Sequence, residues 1–361
     1  MTSSSTPAGS SAKNQPHDQT SGQSDDQSQP SPDEAIALIE LLFGSVFSSA
    51  LRTAAVHRVA DHLAEGPLPV DELARRAKVH ADSLRRVLRL LASRGVFRET
   101  EPGVFELTPA AHTLRDVPGS LRDGVLFATG ETMTRSFGVL EDAVREGKPG
   151  FEIAYGALFF DHLSGHPEDQ ESFDKGMSSL SGPLNDIIAT AYPFPAGGTV
   201  VDVAGGQGGL LRAVLQHHPG LSGVLFDQEQ TVAGHLLDVK ELAGRWRVES
   251  GDFFRAVPEG GDLYVLKNIL HDWSDEHSLR ILASIRAVIP PTGRLLVVDT
   301  VMPEGNDPDP SKVVDIIMLN VASGRERTED EFNSLFQQAG FTLTRIVETG
   351  SFPAVVEGVP V

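Results

Sequence analysis

The chain has 361 residues, 40% hydrophobic and 22% charged, enough for two or three domains and for a large core without covalent staples. It has no cysteine, which excludes disulfides, thiolate nucleophiles, zinc–cysteine sites and iron–sulfur clusters, and fits a reducing compartment such as the cytoplasm. With 30 Lys+Arg against 50 Asp+Glu the net charge is −20, a field that repels nucleic acid, and no apolar run of about eighteen residues offers a membrane span.

Residues 1–32 are Ser-, Gln- and Asp-rich and hold almost no large apolar side chains, so they read as a disordered tail without chemistry. They lack the basic and apolar regions of a signal peptide. Ile36, Leu38, Ile39, Leu42, Phe43 and Val46 then predict a strongly apolar helix over 35–50, suited to a buried dimer seam. A second helix is expected over 51–65, ending at Gly66-Pro67, and a third opens at Val70 and Asp71. A fourth carries Leu84, Val87, Leu88 and Leu91, with Asp82 as its expected cap. Two alternating runs around Glu101-Pro102-Gly103 predict a hairpin. That order is the order of a winged helix-turn-helix, placed at residues 33–120. Arg75, Arg76, Arg85, Arg86 and Arg89 raise a DNA-binding reading. Residues 35–120 carry 11 Lys+Arg against 10 Asp+Glu, whereas a DNA reader is clearly basic.

Residues 121–195 read as helical, with breaks at Gly147-Lys148-Pro149 and Gly165-His166-Pro167, and end at a Pro/Gly boundary. From 196 to 361 buried apolar runs alternate with helices, which predicts an α/β domain with a parallel, doubly wound sheet. The first strand runs into Asp202-Val-Ala204-Gly205-Gly206-Gln-Gly208-Gly209. Glycines there let backbone approach a ligand closely, at a helix N-terminus with free N–H groups. The turn is not a dinucleotide fingerprint: the third conserved position is Leu211, where glycine or alanine is needed. Asp227 closes the next strand, where a carboxylate can take both hydroxyls of a ribose. Asp252 and Phe253 follow a third strand, an acid for an exocyclic amine and a ring for a purine face. All three loops lie along the carboxyl edge of one sheet, where open α/β sheets bind ligands.

The fourth strand leads into Lys267-Asn-Ile-Leu-His271-Asp-Trp273-Ser-Asp-Glu. With Asp202–Gly208, Phe226-Asp227, Gly251-Asp252 and Gly324-Arg-Glu326-Arg-Thr328, this run resembles the small-molecule O-methyltransferases that use S-adenosylmethionine. That family joins a winged-helix dimerisation domain to a Rossmann-like catalytic domain, and it includes plant phenylpropanoid and bacterial antibiotic-tailoring enzymes. The similarity covers residue 36 to the C-terminus. It implies that Asp202, Ala204, Gly205, Gly206 and Gly208 hold the methionine portion of S-adenosylmethionine, and Asp227 its ribose. Asp252 and Phe253 are then on the adenine side, with Lys267 and Trp273 completing the pocket. His271 matches the family's catalytic base, with Asp299 and Glu326 as the acids that flank it. Phe160, Met177 and Met318 match acceptor-pocket positions. One departure is Ala204, where the family usually has glycine.

The expectation is a homodimeric, metal-independent transferase that methylates a hydroxyl of an aromatic bacterial metabolite. His217-His218 are adjacent, and His57 and His62 five apart, neither a spacing that ligates a metal from one helix face. The rival readings are an enzyme of this fold that does other tailoring chemistry, such as hydroxylation or a pericyclic step, and a winged-helix regulator.

Overall fold

The computed structural model describes residues 32–361. The tail expected up to residue 32 therefore lies outside the described residues, apart from Pro32, which opens the first helix. The chain divides after Val46 into two compact units. Of the first, helix α1 (Pro32–Leu42) and the start of α2 (Gly44–Val56) are described. The expected 35–50 helix is thus two helices. The helix expected over 51–65 is interrupted as well: Arg58 adopts φ +51, and α3 (Val59–His62) starts only after it.

Next come the short strand β1 (Leu68–Pro69), α4 (Val70–Ala77), α5 (Ala81–Ala92) and the hairpin β2 (Phe97–Glu101) and β3 (Val104–Leu107). The strands form a sheet in the order β1-β3-β2. This is the helix–helix–hairpin order expected of a winged helix. Leu73, Leu88, Phe97 and Phe105 form its core, each 1% exposed or less. The cap of α5 is His80, whose ring nitrogen accepts the Ser83 N–H. Asp82, expected there, lies inside the first turn, where an acid still favours the helix dipole.

A helical stretch follows: α6 (Pro109–His112), α7 (Arg122–Ala128), α8 (Glu131–Phe137), α9 (Leu140–Glu146), α10 (Gly150–Tyr155), α11 (Phe159–Gly165) and the 25-residue α12 (Pro167–Ala191). Gly147 ends α9 in the left-handed conformation, and Pro167 opens α12, so the breaks stand where the sequence places them.

The last part holds β4 (Gly198–Val203), α13 (Gly209–His217), β5 (Leu221–Asp227), α14 (Glu229–Val232), β6 (Trp246–Ser250) and β7 (Leu263–Lys267). It continues with α15 (Asp275–Val288), β8 (Arg294–Asp299), α16 (Pro310–Val321), α17 (Glu329–Gln338), β9 (Phe341–Glu348) and β10 (Ala354–Pro360). These seven strands form one Rossmann-like sheet in the order β6-β5-β4-β7-β8-β10-β9. The first five are parallel, whereas β10 runs antiparallel to both β8 and β9. The sheet is therefore mixed at one edge rather than wholly parallel. No helix is described between β6 and β7, so the crossovers are not uniformly helical. Strands such as β4 and β8 are buried on both faces, which is why they read as unbroken apolar runs. Leu210, Leu211, Val214 and Leu225 pack one face, and Tyr264, Leu266, Ile281 and Phe332 the other. The chain leaves β4 towards β5 on one side and returns to β7 on the other, so the carboxyl ends of β4 and β7 border the crevice of a topological switch point. Among the described residues, no single helix is long and apolar enough to cross a membrane.

Candidate active site

The glycine turn sits at that crevice. Its backbone enters the left-handed region at Ala204 (φ +55), Gly206 (φ +62) and Gly208 (φ +80). Glycine takes such angles freely, whereas Ala204 bears a strain of about 1 kcal/mol. At Gly205 the constraint is contact: a Cβ there would lie 2.5 Å from the Asp202 carboxyl group. Asp202 itself is 1% exposed, and neither carboxylate oxygen has a hydrogen-bond partner. Burial raises its pKa, with the Lys267 ammonium acting against that rise and Asp227 adding to it. Burial lowers the pKa of Lys267 in turn, against the pull of Asp202. Lys267 Nζ donates to Asn185 Oδ1 on α12 at 2.8 Å.

Asp227, at the end of β5, accepts the N–H of Gly206 on Oδ2 at 2.8 Å and that of Gln228 on Oδ1 at 2.7 Å. Burial raises its pKa, opposed by those two donors. Each oxygen keeps a free lone pair. Asp252 is exposed, and its carboxylate takes the Phe254 N–H at 2.9 Å and faces Arg255 at 3.4 Å. Its neighbours are aromatic: Phe253 and Phe254 meet the Trp273 ring edge-on, at 6.0 and 4.8 Å between centroids.

His271 lies in a 3-10 turn, Leu270–Asp272, just past β7. Asn268, at φ +54, turns the chain into it, a conformation that asparagine tolerates better than most residues. The imidazole Nδ1 bonds Glu326 Oε1 at 2.7 Å. Glu326 is 1% exposed, and its second oxygen accepts the Thr300 hydroxyl. Nε2 stands 3.7 Å from Asp272 Oδ1. Burial opposes the charged ring, but Asp272, Asp299 and Glu326 outweigh it and push the pKa up to about 10. The two acids expected to flank His271 are not equivalent. Glu326 bonds the ring, whereas Asp299 is fully buried with no hydrogen-bond partner and acts on it only through charge. Burial pushes Asp299 up to about 7, and Asp272 up to about 6.

Phe160 stacks on Trp273, with ring centroids 5.9 Å apart and an interplanar angle of 16°. It belongs to an aromatic cluster with Phe151, Phe159 and Phe173. Met177, half-buried on α12, and Met318, 8% exposed on α16, are not part of that cluster. The structure thus gathers the glycine turn, Asp227, Lys267, His271, Glu326, Trp273 and Phe160 through direct contacts or adjacent strand ends. Sequence reasoning missed Asp272, Thr300 and Asn185. Asp272 adjoins His271 in the diagnostic run and was available to it. Asn185 has no local signal, because its role depends on α12 packing against the sheet.

Residues 137–342 match the family model of the O-methyltransferase domain, and residues 39–116 that of the O-methyltransferase dimerisation domain. Phenazine O-methyltransferase of Lysobacter antibioticus is 38% identical over 327 residues, covering 90% of this chain and 96% of that protein. O-demethylpuromycin-O-methyltransferase of Streptomyces alboniger is also 38% identical, covering 90% and 89%. Among solved structures, the calicheamicin-biosynthesis methyltransferase CalO1 in its SAH-bound form superposes with a TM-score of 0.85 at 44% identity, covering 92% of this chain and all of that one. With more than half of the chain matching one catalytic domain, and relatives aligned over nearly their whole length, this protein belongs to the O-methyltransferase family and is an O-methyltransferase.

Proposed function

We propose that the protein transfers a methyl group from S-adenosylmethionine to a phenolic hydroxyl of an aromatic bacterial metabolite, without a metal, with His271 as general base. The carrying observation is the bond between partly buried His271 and fully buried Glu326, past the strand that neighbours the one leading into the glycine turn. The residues fit the methyl donor. Gly205 packs its backbone directly on Asp202 and Leu225, Gly206 leaves open space beside the turn, Asp227 keeps lone pairs for a ribose diol, and Trp273 with Phe253 offers apolar walls. CalO1 binds SAH with the same overall fold, which supports this choice. The acceptor class rests on the phenazine and puromycin relatives and on the aromatic cluster around Phe160; Met177 and Met318 are proposed to complete its pocket.

When bound, S-adenosylmethionine supplies an electrophilic methyl group on a sulfonium. The protein's own task is to deliver a good oxygen nucleophile. Glu326 holds the proton on Nδ1, so that Nε2, once it has released its own proton to solvent, can take the acceptor's. The imidazolium that results is stabilised by Glu326, Asp299 and Asp272. Asp202 and Lys267, both buried beside the turn, act on each other through charge.

Calorimetry tests the donor site. The protein should bind S-adenosylmethionine and S-adenosylhomocysteine without added metal, and Asp227→Ala should weaken binding by about 1–3 kcal/mol, since ribose hydroxyls would be left unpaired. Failure of the wild type to bind either compound overturns the donor assignment, and an unchanged Kd in Asp227→Ala removes Asp227 from the site.

We further propose that the chain works as a cytoplasmic homodimer through residues 33–120. Ile36, Leu38, Leu41 and Leu42 on α1 are each more than half exposed within one chain, an apolar face too large to stay wet. Light scattering at micromolar concentration should return twice the chain mass; a monomer contradicts the proposal.

A further inference from the structure

We infer that Arg327 is a positioning residue for His271, holding the backbone of its loop while Glu326, one residue earlier, holds its ring. The inference rests on the reading of His271 as base. Arg327 is among the largest fully buried side chains, at 1% exposed. Its guanidinium donates from Nη1 to the Leu270 carbonyl at 2.8 Å and from Nη2 to the Trp273 carbonyl at 3.0 Å. Those two carbonyls bracket His271. Nε and Nη2 also reach Asp275 Oδ1 at 3.1 and 2.8 Å, which ties down the start of α15. Three residues before Arg327 the same segment passes directly against the loop. A Cβ on Gly324 would lie 1.9 Å from the His271 carbonyl oxygen and 2.5 Å from the Trp273 nitrogen. Backbone cannot yield there as a flexible side chain could.

Two features separate this from ordinary burial of an arginine. First, the bonds go to the backbone carbonyls on either side of the base, those of Leu270 and Trp273, so the guanidinium sets the height of that turn. A lysine keeps the charge but cannot span both carbonyls with a planar fork. Second, Glu326 and Arg327 are adjacent and serve the ring and the backbone of one residue. A shift of the 324–327 segment therefore displaces the loop and the ring's acid together. A displacement of about 1 Å at a reacting group costs about 100-fold in rate.

The test compares Arg327→Lys and Gly324→Ala with wild type at a temperature well below unfolding. Four quantities are read: kcat, acceptor KM, cofactor Kd by calorimetry, and the Nδ1–H proton resonance of His271 by NMR. Positioning predicts that kcat falls about 100-fold in both variants, that cofactor Kd changes far less, and that the Nδ1–H resonance is shifted or lost. Wild-type kcat in either folded variant overturns the inference, as does a loss of kcat that follows only the unfolded fraction while the resonance persists. Should Arg327→Lys fail to fold, Arg327→Gln, an uncharged amide donor that cannot span both carbonyls, is read in the same four quantities. A fully active His271→Ala protein would overturn the base reading instead, and the resonance in Arg327→Lys would still judge the clamp.

Discussion

His271→Ala is expected to lower kcat/KM by about 10²–10⁴ while leaving cofactor affinity nearly unchanged. The position supports this, because His271 lies past β7 at the same sheet edge as the glycine turn, with Glu326 rather than the ligand space taking Nδ1. The pH dependence follows from the acids around it. With a pKa raised to about 10, the ring is an imidazolium in the resting protein at neutral pH. A phenol, with an ordinary pKa near 10, is neutral there as well. The reactive complex, imidazolium with phenolate, therefore carries one proton fewer than the separated pair. Below pH 10 that proton goes to solvent, so wild-type kcat/KM should rise about tenfold per pH unit through the neutral range and level off towards 10. His271→Ala loses the cation that favours the phenolate. Its rate should recover only as pH passes the acceptor's own pKa. Rate measurements with acceptors of graded acidity check this. Wild-type turnover by the variant at neutral pH, with an acceptor protonated there, removes His271 as base. A product that gains oxygen rather than a methyl group sinks the methyl-transfer reading as a whole.

Glu326→Gln should cost about 10²-fold or more in kcat, and clearly more than Asp299→Asn. Glu326 alone bonds the imidazole, and it is buried with its second oxygen held by Thr300. A glutamine amide in its place can donate to Nδ1. That moves the ring proton to Nε2, the nitrogen needed to accept from the acceptor. Losing the carboxylate also removes one of the charges that raise the His271 pKa, so the rise of kcat/KM with pH should shift to lower pH. Asp299→Asn removes a charge but no hydrogen bond, since neither of its oxygens has a partner. It should lower kcat less and move the profile in the same direction. Stopped-time assays across pH on both variants decide the order. A larger loss for Asp299→Asn would mean that the charge, rather than the Nδ1 bond, carries the effect.

Much of this protein was legible from residues alone, for reasons that differ along the chain. Strands β4, β5, β7 and β8 stand where near-continuous apolar runs place them, because strands covered by helices on both faces need no polar alternation, whereas β6 and β9 carry polar, partly exposed residues. The glycine turn was visible because three needs within four residues, contact at 205 and left-handed angles at 206 and 208, admit little else. Asp227 was marked by its place at the end of a strand, and His271 and Trp273 by the resemblance of the run from Lys267 to Glu276 to the family. Boundaries in the first helices were not legible. Arg58 in a left-handed conformation splits a continuous helical pattern, and nothing local announces it. The same holds for β10, whose antiparallel direction depends on where the chain returns rather than on its composition.

Within the site, sequence alone determined which residue types converge on the sheet edge, since loops after parallel strands must share that edge. Only the tertiary structure decided how they divide the work. Glu326 bonds the imidazole and Asp299 does not, Asn185 reaches Lys267 from a helix 82 positions away, and Arg327 grips the carbonyls on either side of His271. Spacing along a chain limits which loops can meet, but a hydrogen bond is decided by a few tenths of an ångström and by direction. Those are set by how helices and segments distant in sequence pack against one sheet.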